Sequence, residues 1–68
     1  DPQAALLSFE AAIALKPDYA EALNNMGVAL RDLDKSKEAL KYFQKALLIK
    51  PDYADAKINE AELLKANQ

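Results

Sequence analysis

An all-α solenoid of antiparallel helical hairpins is the fold class this sequence predicts, on three observations. Lys16-Pro17-Asp18-Tyr19-Ala20 returns unchanged as Lys50-Pro51-Asp52-Tyr53-Ala54. Laying the chain over itself at that 34-residue offset brings twelve positions into identity. Apolar residues recur three and four apart in four blocks, each closed by a turn signal, which is helical rather than strand spacing. A period of this length holds one helix, turn, helix and turn, a unit that buries its apolar face only by stacking on a neighbour.

The first helix is expected over about 2–15. Asp1 can accept backbone N–H bonds as its cap, and Pro2 fits the first turn, where a missing donor costs nothing. Lys16 and Pro17 end it. The second helix is expected over 19–33, where Asp18 and Glu21 have capping-box spacing. Its core face includes Leu23, Met26, Gly27 and Leu30. After a turn around Asp34-Lys35-Ser36 the third helix covers 37–49, with Ala39, Leu40, Phe43, Ala46 and Leu47 inward. Asp52 caps the fourth, 53–66, which reads as apolar through Ala54, Ile58, Ala61 and Leu64. Connections of two to four residues make neighbours antiparallel. The duplicated segment is the joint between hairpins: lysine faces the carbonyl end of one helix, proline stops it, aspartate caps the next and tyrosine covers the corner.

Gly27 stands inside a helix, where glycine costs about 1 kcal/mol relative to alanine. A bulky side chain of the paired helix, Phe43, approaching its backbone would offset that cost, with Ala39 and Ala46 allowing the same closeness along the other helix.

Composition narrows the function. The 68 residues carry nine basic and eleven acidic side chains, a net charge of −2 spread along the chain, which argues against nucleic acid or an anionic membrane as partner. With no cysteine or histidine there is no disulfide, the usual zinc, haem and iron–sulfur ligand sets are missing, and no cofactor is expected. At this size a single core supplies only about 3–5 kcal/mol, all of it from packing. No apolar run approaches a membrane span and no signal peptide is visible, so a soluble cytoplasmic or other intracellular location is expected. The chain opens in mid-pattern, as one excised from a longer protein or designed would.

Catalysis has no support. Ser8 and Ser36 lack a conventional base, and the carboxylates read as caps or solvated groups, so no catalytic residue and no enzyme is expected. Asp32, Asp34, Ser36 and Glu38 alternate like the first half of a calcium loop, yet Lys37 stands in place of the sharp-turn glycine and Phe43 in place of the closing glutamate, so the run reads as a polar turn and no metal site is expected. Lys37, Lys41 and Lys45 form a basic stripe best read as a solvated face. Tyr19 and Tyr53 read as packing at helix starts.

The spacing of Leu23, Met26-Gly27, Leu30, Ala39, Phe43, Ala46 and Pro51 resembles the tetratricopeptide repeat. On that resemblance residues 20–53 form one complete repeat, 1–19 the second helix of a preceding repeat (Ala5, Phe9, Ala12, Pro17), and 54–68 the first helix of a following repeat or a cap, within one domain spanning 1–68 and a right-handed α-solenoid. Leu23 stands where the family often has tryptophan, and Asp34 where it usually has a left-handed glycine. Lys57 and Glu60 replace Leu23 and Met26 in the last helix, which makes it a polar end. Leu6, Phe9 and Ile13 have no helix before them and are expected as an exposed apolar end.

What the resemblance implies about function is a non-catalytic scaffold that binds a protein or peptide on a concave surface. Carried over residue by residue, its lining is Glu21, Asn24, Val28 and Arg31, continued by Asp55, Ile58, Glu62 and Lys65. A clamp for the carboxylate tail of a chaperone is not expected, because Val28, Ile58 and Glu62 replace its donors, and Asn25 reads as structural. The alternative is a structural, self-associating unit whose Leu6, Phe9 and Ile13 find cover by end-to-end stacking or helix exchange with another copy of the chain.

Overall fold

The structure, a computed structural model, describes residues 1–66 as four helices: α1 (Pro2–Leu15), α2 (Ala20–Asp32), α3 (Ser36–Ile49) and α4 (Ala54–Ala66). No strand occurs among the described residues. α2 is the centre, packed against α1, α3 and α4, and α3 also packs against α4. The expected bounds shift by one residue at both ends of α2 and at the starts of α3 and α4.

α1 begins as its sequence requires, with the Gln3 backbone N–H donating to Asp1 Oδ1 at 3.0 Å and Pro2 in the first turn. Asp18 and Asp52 do not cap the next helices as expected. Each lies in a tight turn instead: Tyr19 N–H donates to the Lys16 carbonyl at 3.1 Å, and Tyr53 N–H to that of Lys50 at 3.0 Å. Proline at the second place of such a turn fixes φ and puts aspartate third. The cap position thus falls one residue later. The tyrosine carbonyls accept the first helical bonds, from Leu23 and Lys57, both at 3.1 Å, and Tyr19 makes no side-chain cap bond. Of the two tyrosines expected to pack over the corners, Tyr53 is half-buried against the core while Tyr19 is exposed; Lys16 Nζ lies 5.5 Å from the Tyr19 ring centre and Lys50 Nζ 5.2 Å from that of Tyr53.

The α2–α3 turn carries the left-handed residue its position demands. Asp34 has φ 63°, its N–H donates to Arg31 O at 3.0 Å, and Lys35 N–H donates to Leu30 O at 2.9 Å. That pair of bonds closes a Schellman motif and satisfies two carbonyls left free at the end of α2.

Between α2 and α3 the core runs through Leu23, Met26, Leu30, Ala39, Phe43 and Ala46, all buried; Leu40 and Leu47 are half-buried at its edge. A β-carbon on Gly27 would stand 2.5 Å from Phe43 Cε1, so the ring occupies the space that a side chain would take. The covered face of α4 differs from the expected one. Ala54, Ile58, Ala61 and Leu64 are exposed, Ala56 and Leu63 are buried, and Asn59 and Glu60 are half-buried. The 34-residue offset gives the reason: Ala56, Asn59 and Leu63 repeat Ala22, Asn25 and Ala29, the stripe of α2 that lies toward the preceding helix. Ala61 and Leu64 repeat Gly27 and Leu30, which need a following helix. Lys57, at the Leu23 position, is exposed as a polar end requires.

Leu6, Phe9 and Ile13 are half-buried rather than bare, because they pack on the core beside α2. The exposed large apolar side chains of α1 are Leu7 and Leu15.

Candidate interaction surface

α2 and α4 lie side by side, joined by a chain of polar side chains. Asn59 Nδ2 donates to Asn24 Oδ1 at 3.0 Å, and Arg31 Nη1 reaches Asn59 Oδ1 at 3.4 Å. Asn24 is 5% exposed and has its oxygen paired, so it acts as a strut between the helices more than as a free contact. Asn59 is the residue sequence reasoning missed. The signal was available, since Asn25 and Asn59 are identical across the period.

The other residues expected to line the surface remain reachable. Glu21, Asp55, Ile58, Glu62 and Lys65 are exposed, and Val28 and Arg31 are half-buried. Arg31 also has Nε 3.9 Å from Asp32 Oδ1, a pair that solvent still screens and that carries small energetic weight. At the amino ends of α2 and α4, burial pushes the Tyr53 hydroxyl above its ordinary pKa of 10.0, the Asp55 and then the Glu21 carboxylate add to the rise, and a hydrogen bond with the Asn24 side chain opposes it. Glu21 and Asp55 stand in the first turns of α2 and α4, while Arg31 and Lys65 stand in the last turns of the same helices.

The remaining candidates take simple places. Lys37, Lys41 and Lys45 are exposed, with Lys45 Nζ 4.7 Å from the Tyr42 ring centre. The Asp34–Glu38 run borders a shallow surface depression at the α2–α3 turn. A second groove, of about 360 Å³, lies between α1 and α2 and includes Phe9, Asn25 and Val28 in its lining. No described helix is long and apolar enough to cross a membrane.

A helical hairpin with a phenylalanine seated on a glycine, small alanines along the facing helix and a lysine-proline stop defines a helical repeat of the stacking kind. Residues 20–53 match the tetratricopeptide repeat family model, half of the chain, and the chain belongs to that family. No curated protein matches it. Tetratricopeptide repeats generally mediate protein–protein interaction and are typically non-catalytic scaffolds.

Proposed function

We propose that the chain is a non-catalytic scaffold that holds a peptide or a helix of a protein partner across α2 and α4. The observation that carries this reading is the Asn24–Asn59–Arg31 chain, which holds α2 and α4 side by side, each with an acidic residue in its first turn, Glu21 and Asp55, and a basic one in its last, Arg31 and Lys65. Acidic first turns and basic last turns also complement the helix dipoles, so the charges serve stability and recognition together. The partner that fits presents a cation toward Glu21 and Asp55, a carboxylate toward Arg31 and Lys65, and an apolar side chain between them for Val28 and Ile58. Two lining helices fall short of the roughly 800 Å² per partner of a specific interface, which keeps affinity weak for this length of chain.

Selection of binders from a random peptide library tests this. Selected peptides should lose tenfold or more in affinity toward Glu21→Lys/Asp55→Lys and toward Arg31→Glu/Lys65→Glu, with circular dichroism unchanged. Selected peptides that ignore both charge reversals would sink the reading.

End-to-end stacking of copies through Leu6, Phe9 and Ile13 is the weaker reading. The helix a second copy would bring to them, α4, carries Lys57, Glu60 and Ala61 at the places of Leu23, Met26 and Gly27. An alanine at the glycine place sets a methyl where the ring of Phe9 must lie, by the distance seen at Gly27 and Phe43.

A further inference from the structure

α3 packs on both α2 and α4, through Ala39, Phe43 and Ala46, none of which keeps exposed surface. The face it turns to solvent is one stripe of Lys37, Lys41, Gln44, Lys45 and Leu48, all exposed, at the three- and four-residue spacing of neighbours on a helix. Helix stability does not ask for this stripe. Lysines four apart repel one another, and Lys37 stands in the first turn of α3, where the helix end is itself positive. Among the described residues none of the three lies within ion-pair distance of a carboxylate, the pair that forms being Arg31 with Asp32. Nor does the repeat ask for it: one period earlier Gln3, Leu7, Ala11 and Ala14 stand at the places of the three lysines and Leu48.

The stripe ends in Leu48, which is 83% exposed, with Ile49 beside it at 42%. Lys45, one turn before Leu48, is already positioned, since its Nζ lies 4.7 Å from the centre of the Tyr42 ring and that ring is half-buried against the core. We infer that the outer face of α3 docks an acidic segment of a protein partner, whose carboxylates meet Lys37, Lys41 and Lys45 and whose apolar side chain beyond them covers Leu48 and Ile49. Four residues of helical rise put the lysines about 6 Å apart, a spacing that glutamates four apart on a partner helix reproduce. Charge selects such a partner, and Leu48 fixes where along the stripe it stops. Docking also relieves the repulsion among three cations that the chain leaves unneutralised. No residue of this stripe lines the α2–α4 surface, so the two can be tested apart.

The probe is a capped alanine-based peptide with three glutamates four residues apart and a leucine three residues beyond each end, titrated into the isotopically labelled chain while amide shifts are followed by NMR. So short a helix is marginal in water, which calls for millimolar peptide. Shifts should centre on Lys41, Lys45 and Leu48. Salt at about 1 M, which screens charges beyond about 3 Å, should weaken binding tenfold or more. Lys41→Glu/Lys45→Glu should do the same, and Leu48→Ser should weaken it about threefold, the scale of part-burying one leucine. All three positions are exposed, so circular dichroism should not change. A peptide with glutamine in place of glutamate that binds as well would overturn the inference, as would affinity indifferent to Leu48→Ser or shifts centred on α2 and α4. Shifts at Lys41 and Lys45 that follow the concentration of the chain alone would also overturn it, because carboxylates of a second copy would then be the occupant. So would co-sedimentation with phosphatidylserine vesicles in the absence of any peptide shift, which would assign the face to a membrane surface.

Discussion

Phe43 lies flat over Gly27, with three ring carbons within 2.9 Å of where a β-carbon would be. Alanine at position 27 gains about 1 kcal/mol in helix propensity. It also forces a methyl into a ring that has no exposed surface and nowhere to move. Overpacking of this kind costs about 1–3 kcal/mol and wins over propensity. Gly27→Ala should therefore lower the urea midpoint at constant slope, and Phe43→Leu in that background should recover part of the loss. Additive losses in the double mutant would refute the contact as the cause.

The covered stripe of α4 makes adjacent leucines behave differently. Leu63 is 5% exposed and Leu64 47%. Leu63→Ala should cost about 2–4 kcal/mol, enough in so small a domain to detach α4, whereas Leu64→Ala should stay within about 1 kcal/mol. Hydrogen exchange at the α4 amides checks both, and equal protection in the two variants would contradict the stripe.

Asp34 holds a left-handed backbone at φ 63°. Glycine reaches that conformation without the β-carbon penalty, and the two bonds that close the turn are both made by backbone N–H groups. Asp34→Gly should leave helicity unchanged and raise stability by a few tenths to about 1 kcal/mol. Asp34→Pro, which can neither reach the angle nor donate to Arg31, should destabilise by about 3 kcal/mol or more. Chemical denaturation ranks the three proteins, and any order other than Gly, Asp, Pro would be inconsistent with this turn.

Tyr53 predicts an alkaline limb. Its pKa is raised in the folded chain by burial and by Asp55 and Glu21, so in the window above 10 the unfolded chain loses the phenolic proton first. The folded state then binds more protons, and stability falls as pH rises. The contribution is whole below the ordinary pKa and vanishes as pH climbs through the folded one. Tyr53→Phe should flatten the decline of the thermal midpoint between about pH 9 and 11 relative to the parent chain. Parallel curves would exclude Tyr53 as its source.

The sequence by itself determined the period, the four helices and nearly all of the α2–α3 core, because those rest on local spacing, on proline stops and on large and small residues that match within one hairpin. It marked Gly27 as the partner of Phe43 for the same reason, whereas Asp34 as the left-handed position followed from the resemblance to the repeat family. The cap of α2 was misplaced by one residue, since whether a lysine-proline-aspartate-tyrosine segment spends its aspartate on a turn or on a cap depends on where the next helix must start to meet its neighbour. The covered face of α4 and the Asn24–Asn59–Arg31 chain were decided only by tertiary structure. The apolar residues of α4 are scattered around its circumference, so no stripe announces itself. The neighbours α2 and α3 choose which side is buried, and they choose the side whose asparagine can satisfy another asparagine out of water.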